Sequence, residues 1–124
     1  MNDLDFSKLT VQKIELVTGV KGEAGTVLPL HEPRNFAVRM PRKQHGFVLV
    51  QKGKGRYVFH DQRVVETRPG TILYLPRGWK YYVETLEESQ VICVNFSLFE
   101  DVTPEPWLYE PKHYARWEEK FETL

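Results

Sequence analysis

Short apolar runs separated by glycine and proline turns fill most of this 124-residue chain, and they constrain its fold more than any other feature. Many of these runs are rich in Val, Ile, Tyr and Phe and several alternate with polar residues, which is typical of β-strands. The turn at residues 68–70 is suited to a positive φ at Gly70. Strands are predicted at residues 11–17, 36–40, 45–51, 56–60, 63–68, 71–75, 81–86 and 90–98. About eight short strands separated by turns predict an all-β antiparallel sandwich or barrel.

Two other segments depart from the strand pattern. The glycine-rich stretch at residues 19–27 is predicted as a loop or arm. Past residue 110, apolar residues recur at steps of three, four and three, which predicts one apolar stripe on a helix. The stripe consists of Tyr114, Trp117, Phe121 and Leu124. Because this helix ends on an apolar position without a glycine cap, we expect the natural polypeptide to continue.

Composition excludes several classes of function. Seventeen Lys and Arg balance seventeen Asp and Glu, so the domain lacks the basic excess that binding to nucleic acid requires. The single Cys93 excludes an intrachain disulfide. No leader-like segment or apolar run of about 18 residues is present, so a cytoplasmic location is expected. Aromatic residues make up 13% of the chain, which favours sheet structure and a lined cavity or interface.

One stretch has the spacing of a known motif. Gly70, Pro76 and Gly78 are followed by Tyr81, with five, one and two residues between them. The chain thereby resembles the cupins, small jelly-roll barrels whose second motif has this spacing and ends on a metal-binding histidine. The resemblance covers roughly residues 36–98 and implies a double-stranded β-helix barrel with a C-terminal α-helix. Tyr81 stands where the histidine is expected.

The first cupin motif has lost its ligands as well. Counting back from the turn glycine at position 53 puts the motif's glutamate at Gly46. The two histidine positions then fall on Arg39 and Pro41, or on Met40 and Arg42 with a shorter spacing.

A divalent cation needs three or four His or carboxylate donors at about 2.0–2.2 Å, and none of these positions supplies one. His45 and His60 lie nearby but do not make a site. We therefore predict no bound metal and no other cofactor.

Within the cupins, the chain is most similar to the N-terminal sensor domain of AraC-family transcriptional regulators. The ordered segments at residues 45–59, 68–84 and 90–99, followed by a helix with a tryptophan, carry this resemblance. It implies a barrel with an N-terminal arm over residues 1–110 and the start of a C-terminal helix over residues 111–124. It also implies a small effector in the barrel, a sugar or small organic acid, and a homodimer. DNA would be bound only through a separate C-terminal helix-turn-helix domain, which this chain does not include.

Candidate effector contacts follow from the inward-facing motif positions. Arg39 is placed first, because a guanidinium offers up to five donors to hydroxyls or a carboxylate. A surface position on an edge strand is the alternative for Arg39. The further candidates are Tyr81, Tyr57, Asn95 and His45, of which His45 also suits a purely structural role. Tyr114, Trp117 and Phe121 either pack on the barrel or mediate dimerisation.

Two other classes of function stay open. One is a freestanding small cupin enzyme that acts on a sugar without metal. The other is a structural jelly roll whose aromatic residues only pack. No Ser-His-Asp arrangement or phosphate-binding loop is visible, so no catalytic residue is assigned. The length of the natural reading frame would discriminate between a regulator and an enzyme.

Overall fold

The described part of the chain forms nine strands and one helix. The computed structural model describes residues 9–28 and 34–122. The first five strands are β1 (Val11–Gly22), β2 (Val27–Leu28), β3 (His45–Lys52), β4 (Gly55–Phe59) and β5 (Val64–Thr67). They are followed by β6 (Ile72–Leu75), β7 (Tyr81–Thr85), β8 (Ser89–Leu98), β9 (Trp107–Tyr109) and α1 (Tyr114–Glu122). The prediction of an all-β chain with a C-terminal helix is confirmed.

The strands form two antiparallel sheets. The five-stranded sheet has the order β1-β8-β3-β6-β9, and the four-stranded sheet has the order β2-β7-β4-β5. Consecutive strands often lie in different sheets, so the chain crosses repeatedly between the two layers, as in a jelly roll. The predicted turn at residues 68–70 joins β5 to β6, and Gly70 has the expected positive φ of 85°.

The main core lies between the two sheets. Alternate residues of β3 and β6 point into it from the five-stranded sheet, and alternate residues of β4 do so from the other sheet. Its buried members are Val48, Val50, Tyr57, Phe59, Leu73 and Leu75. Side chains at the start of β7 and along β8, Tyr81 and Cys93 among them, pack against the same cluster.

The outer face of the five-stranded sheet is apolar too. All four residues of β6 are buried, which means that this strand is covered on both faces. One outer cluster consists of Leu49, Ile72 and Ile92, and α1 covers it through Tyr114. A second consists of Tyr74, Val94 and Phe96, with Phe47 and Trp107 packed against it.

Three parts of the secondary structure differ from the prediction. Residues 36–40 do not form a strand, because Asn35 accepts hydrogen bonds from the Ala37 and Val38 N–H groups and holds a turn instead. Within the glycine-rich stretch, residues 19–22 belong to β1 and residue 27 belongs to β2, while residues 23–26 form a loop as predicted. Strand β1 pairs with β8 through a register shift between Val17 and Val20. Strand β9 was not predicted at all; it pairs with β6. Across the described residues, no helix has the length and apolar character needed to cross a membrane.

Candidate functional site

Three polar side chains meet at one end of the barrel, and we call Arg42, Tyr81 and Asn95 the arginine cluster. Tyr81 opens β7, next to the turn that the second motif predicts. Asn95 lies on β8 directly opposite Gly46 of β3. Asn95 is two residues from the inward-facing Cys93, so both residues occupy the same face of the sheet. All three side chains of the cluster are half-buried.

The turn after β6 holds the backbone of Arg42. The Arg42 N–H donates to the carbonyl oxygen of Trp79 at 3.0 Å, and the Gly78 N–H donates to the carbonyl oxygen of Arg42 at 2.8 Å. These two bonds fasten the segment before β3 to the turn before β7. Thus the two motif regions, which lie far apart in sequence, meet at this end of the barrel.

The Arg42 guanidinium joins the cluster by donating three hydrogen bonds. Nη1 donates to the Tyr81 hydroxyl at 2.8 Å, Nη2 donates to Asn95 Oδ1 at 2.5 Å, and Nε donates to the Gln44 carbonyl oxygen at 3.0 Å. The Arg42 Cζ also lies 6.0 Å from the centre of the Tyr81 ring. An arginine has five N–H donors, so one on each terminal nitrogen remains for another acceptor.

No carboxylate neutralises Arg42 within the part of the chain that the structure describes. By contrast, Arg34, Arg56, Arg63, Arg68 and Arg77 each form an ion pair with an acidic side chain. A half-buried positive charge without a counter-ion is costly, and an anionic ligand would offset this cost.

Gly46 makes room for the guanidinium. A Cβ atom built on Gly46 would overlap Nη2 of Arg42 and lie 3.1 Å from Asn95 Oδ1. Any side chain at this position would therefore displace Arg42. The loss of the motif's glutamate and the presence of the arginine are two parts of one arrangement.

Tyr57 lies beside the cluster and forms part of its floor. Its ring stacks on Tyr81 with the centroids 5.8 Å apart, and its side chain is buried. Burial raises the pKa of Tyr57 far above its usual value, and the neighbouring Tyr81 raises it further. Tyr57 therefore stays neutral and can present only a phenolic hydroxyl or a ring face.

The two arginines at candidate positions of the first motif have different surroundings. Arg42 contacts both Tyr81 and Asn95. Arg39 is 8% exposed and its guanidinium lies 5.5 Å from the ring centre of Tyr82, the residue that points to the opposite face of β7. Burial lowers the pKa of Arg39, with the tyrosine neighbours opposing that shift. The wider motif spacing selected Arg39, whereas the shorter spacing already placed Arg42 at a ligand position.

His45 faces away from the cluster, on the outer side of the five-stranded sheet. It is 1% exposed, its Nδ1 lies 2.8 Å from the Tyr74 hydroxyl, and its ring stacks on Phe96. Burial lowers the pKa of His45, and the charges of Arg77 and Arg42 lower it further. These contacts give His45 a structural role on the outer face of this sheet.

The residues do not fit a divalent cation. Gly46 and Tyr81 occupy two of the motif's ligand positions, and the Arg42 guanidinium fills the space between them. Throughout residues 9–28 and 34–122, no group of three His, Cys, Asp or Glu side chains is placed to hold a metal ion. A permanent positive charge at this point would repel a cation.

The predicted dimerisation residues have different surroundings. Tyr114 packs against Leu49, Ile72 and Ile92, so this residue attaches α1 to its own barrel. Trp117 is 38% exposed and meets Tyr109 edge to face at 6.1 Å. The side chain of Phe121 lies outside the described residues.

The two crossing sheets form a double-stranded β-helix, so the fold is that of a cupin. No protein-family model matches the chain, and no curated protein matches it in sequence. The relationship to known proteins therefore rests on solved structures.

Three solved structures illustrate the similarity in fold. ToxT from Vibrio cholerae O395 superposes with a TM-score of 0.61 and 9% identity over 89% of this chain and 45% of that chain. ToxT bound to (E)-4-(8-methylnaphthalen-1-yl)but-3-enoic acid gives a TM-score of 0.60 and 9% identity over 90% of this chain and 48% of that chain. An RmlC-like cupin family protein from Methanocaldococcus jannaschii superposes with a TM-score of 0.55 and 13% identity over 78% of this chain and 89% of that chain. The chain thus spans about half the length of ToxT, and the likeness establishes the fold.

Proposed function

We propose that this chain is the effector-binding domain of a bacterial AraC-type transcriptional regulator, and that its barrel binds a small organic acid through Arg42. The fold likeness to ToxT, an AraC-family regulator, supports this proposal, as does the order of the sequence motifs. The proposal makes the domain a binding module and not an enzyme.

The observation that carries the proposal is an inward guanidinium without an acidic partner among the described residues. Tyr81 and Asn95 hold Arg42 in place but contribute no negative charge. A ligand carboxylate would accept the two remaining N–H groups and neutralise the charge at the same time. Hydrogen bonds to charged groups contribute about 1.5–3 kcal/mol, more than those between neutral groups.

An acid suits the cluster better than a sugar does. Sugar hydroxyls could also accept from Arg42 and pair with Tyr81, but they would leave the positive charge uncompensated. ToxT has been solved with a carboxylic acid bound, which supports placing an acid first here. We therefore place a small organic acid first and a sugar second.

A freestanding cupin enzyme is the weaker alternative. Metal-assisted chemistry would need donors that this end of the barrel lacks, since Gly46, Tyr81 and Arg42 stand there. Arg42 can orient and bind an anion, but a guanidinium offers only donors and no basic atom for proton abstraction. The arginine cluster is therefore suited to binding an anion and not to catalysis.

Titration calorimetry with matched ligands tests the proposal. A panel of monocarboxylic acids, from acetate to naphthaleneacetate, is compared with the corresponding neutral amides. We expect at least one acid to bind and its amide to bind more weakly. Arg42→Gln, which keeps hydrogen-bonding capacity without charge, should weaken acid binding about tenfold to a hundredfold. Tyr81→Phe removes one positioning hydroxyl and should weaken it less, by about 0.5–1.5 kcal/mol.

Arg39→Gln is the matched control. Arg39 lies three residues before Arg42 in the sequence, and its guanidinium lies over the ring of Tyr82. This substitution should leave acid affinity unchanged at a temperature where both variants are folded. Equal binding of acids and amides, or no binding by any acid, would overturn the choice of an acid. If Arg39→Gln abolishes binding while Arg42→Gln does not, the ligand site is not the arginine cluster.

The role in transcription would require further segments. We propose that DNA contact comes from a helix-turn-helix domain encoded beyond α1, and that the sensor domains pair as a homodimer. A natural reading frame that continues into two helix-turn-helix patterns would support this, and one that stops directly after residue 124 would favour the enzyme.

A further inference from the structure

An apolar groove crosses the outer face of the five-stranded sheet, on the side away from the arginine cluster. It has a volume of about 390 Å³. The sheet forms its floor, the start of β1 and strand β9 lie along its sides, and Trp117 of α1 contributes to it. The lining residues are Leu9, Val11, Ile14, Phe47, Ile72, Val94, Phe96, Leu98, Trp107, Tyr109 and Trp117.

The alternation of two strands separates this groove from the barrel interior. On β3, Gly46 faces Arg42 while the next residue, Phe47, faces the groove. On β8, Asn95 binds Arg42 while Val94 and Phe96 line the groove. The two sites therefore lie on opposite faces of the same sheet.

The chemistry of the groove selects against charge. Every lining residue is aliphatic or aromatic, and none carries an ionised group at neutral pH. An ion that entered would lose its water without gaining a partner, which is strongly unfavourable. The aromatic rings present faces and edges at contact distance from one another, as in the pairs of Phe47 with Trp107 at 6.4 Å and Tyr109 with Trp117 at 6.1 Å.

Trp107 is the second observation at this site. Its indole N–H is buried and has no hydrogen-bond acceptor within residues 9–28 and 34–122. Buried N–H donors are usually paired, so this wall of the groove holds an unmet donor.

The volume indicates the size of the occupant. Small-molecule sites generally occupy about 300–1,000 Å³, and an apolar cavity of about 150 Å³ in another protein binds benzene. The groove is more than twice that cavity in volume. It therefore suits a molecule of two or three rings, or a hydrocarbon skeleton of similar size.

We propose that the groove is a second binding site, for a neutral apolar molecule of this size. The site is independent of the organic acid proposed for the barrel, because no member of the arginine cluster lines it. A ligand here would bridge the sheet and α1 through Trp117, so that occupancy should stabilise the attachment of the helix.

Two fluorescent probes with the same skeleton and different charge test the proposal. N-phenyl-1-naphthylamine is neutral, and 8-anilinonaphthalene-1-sulfonate adds one sulfonate. The neutral probe should bind one-to-one and at least about tenfold more tightly than the sulfonate, because the groove offers no partner for an anion.

Variants that place a negative charge at the edge of the groove test the same preference for neutral ligands. Ile14→Glu and Val11→Glu place a carboxylate at the groove on residues that are 47% and 52% exposed, so the fold should tolerate them. Each should weaken binding of the neutral probe at least about tenfold. Val64→Glu, at a residue 51% exposed on the other sheet, is the matched control and should have no effect. Arg42→Gln should have none either.

Each opposite result overturns the proposal. Tighter binding of the sulfonate, or equal loss in Val64→Glu, would mean nonspecific adsorption. A parent protein that binds no probe and sediments as a dimer, together with a monomeric Ile14→Glu variant, would mean that a second copy covers the groove. A parent that binds no probe as a monomer would mean that the groove has no small-molecule ligand.

Discussion

The guanidinium of Arg42 occupies the space that a side chain on Gly46 would need. Nη2 of Arg42 would overlap a Cβ atom built at that glycine. The same nitrogen donates to Asn95 Oδ1 at 2.5 Å, directly across from Gly46 in the sheet. A position that holds a metal-binding glutamate in the cupin motif thus serves here to admit a positive charge.

Gly46→Ala should impair the site more than the fold. The new methyl group displaces the flexible end of Arg42, so the bonds to Tyr81 and Asn95 are lost or lengthened. We expect acid affinity to fall about tenfold, with a loss in the free energy of unfolding of about 1–2 kcal/mol. Calorimetry and urea denaturation measure the two effects.

Gly55→Ala is the control for this change, because a Cβ there meets only contacts of 3.4 Å and longer. It should leave acid affinity intact. In an Arg42→Ala background, Gly46→Ala should have a smaller effect on stability, since no guanidinium remains to be displaced. Equal effects in both backgrounds would contradict the steric account.

Asn95→Asp should satisfy Arg42 internally and compete with the ligand. The substitution is nearly isosteric and puts a carboxylate in hydrogen-bonding contact with the guanidinium. We expect the free energy of unfolding to hold or rise by up to about 1 kcal/mol, while acid affinity falls at least about tenfold. Gln90→Glu adds the same charge on the same strand and should change affinity little. Undiminished acid binding by Asn95→Asp would show that Arg42 is not the anion contact.

The barrel should hold no metal. Gly46 and Tyr81 replace two ligands of the motif, and Arg42 supplies a positive charge at the same place. Elemental analysis of protein purified without chelator should find no stoichiometric transition metal. Stoichiometric Zn, Mn, Ni or Fe that disappears in His45→Gln or His60→Gln would refute this prediction.

Stability should decrease as the pH falls below about 6.5, the usual pKa of a histidine. Burial lowers the pKa of His45 in the folded state, with Arg77 and Arg42 adding to the shift, so the unfolded chain binds a proton first. Protonation thus favours unfolding from about pH 6.5 down through the folded-state pKa, with a slope of at most about 1.4 kcal/mol per pH unit. Urea denaturation between pH 7.5 and about pH 5 measures the slope.

His45→Gln should remove this component of the pH dependence, while His113→Gln, at an exposed position, should keep it. The histidine ring bonds to Tyr74, whose own pKa burial raises, so that hydroxyl stays neutral across the range. An unchanged slope in His45→Gln would assign the pH dependence to other groups.

Self-association should be weak and should depend on Trp117. This residue is partly exposed on α1, whereas Tyr114 is occupied by packing on the barrel. A stable interface needs about 1,000 Å², more than one short helix provides. Sedimentation at millimolar concentration should show a dimer in the parent and less dimer in Trp117→Ala. A strictly monomeric parent would mean that the stripe serves only the barrel.

Part of the site could be predicted from spacing alone. The second motif marked Tyr81 as an inward-facing position, and the structure places Tyr81 at the start of β7 in contact with Arg42. Asn95 and Tyr57 were named as further candidates beside it. The position of Tyr81 follows from a turn with fixed spacing, which is local in sequence. Which of the two roles suited His45 depended on the register of β3, which sets the face of the sheet on which His45 lies and which the sequence leaves open.

The choice between Arg39 and Arg42 needed the folded chain. The segment before β3 was predicted as a strand, but a turn at Asn35 and two bonds between Arg42 and the turn at residues 78–79 set its course. Those bonds join residues more than thirty positions apart, and no local pattern encodes them.

The sequence determined the turns, the strands of the core and the loss of the cupin ligands, because each of these depends on residue type and short-range period. Tertiary structure decided which arginine enters the barrel and that the five-stranded sheet is apolar on both faces. The groove shows why. Its lining joins the start of β1, β3, β6, β8, β9 and α1, whose residues become neighbours only through the strand order. A continuous apolar strand such as β6 signals burial on both faces, but only long-range pairing shows what lies against each of them.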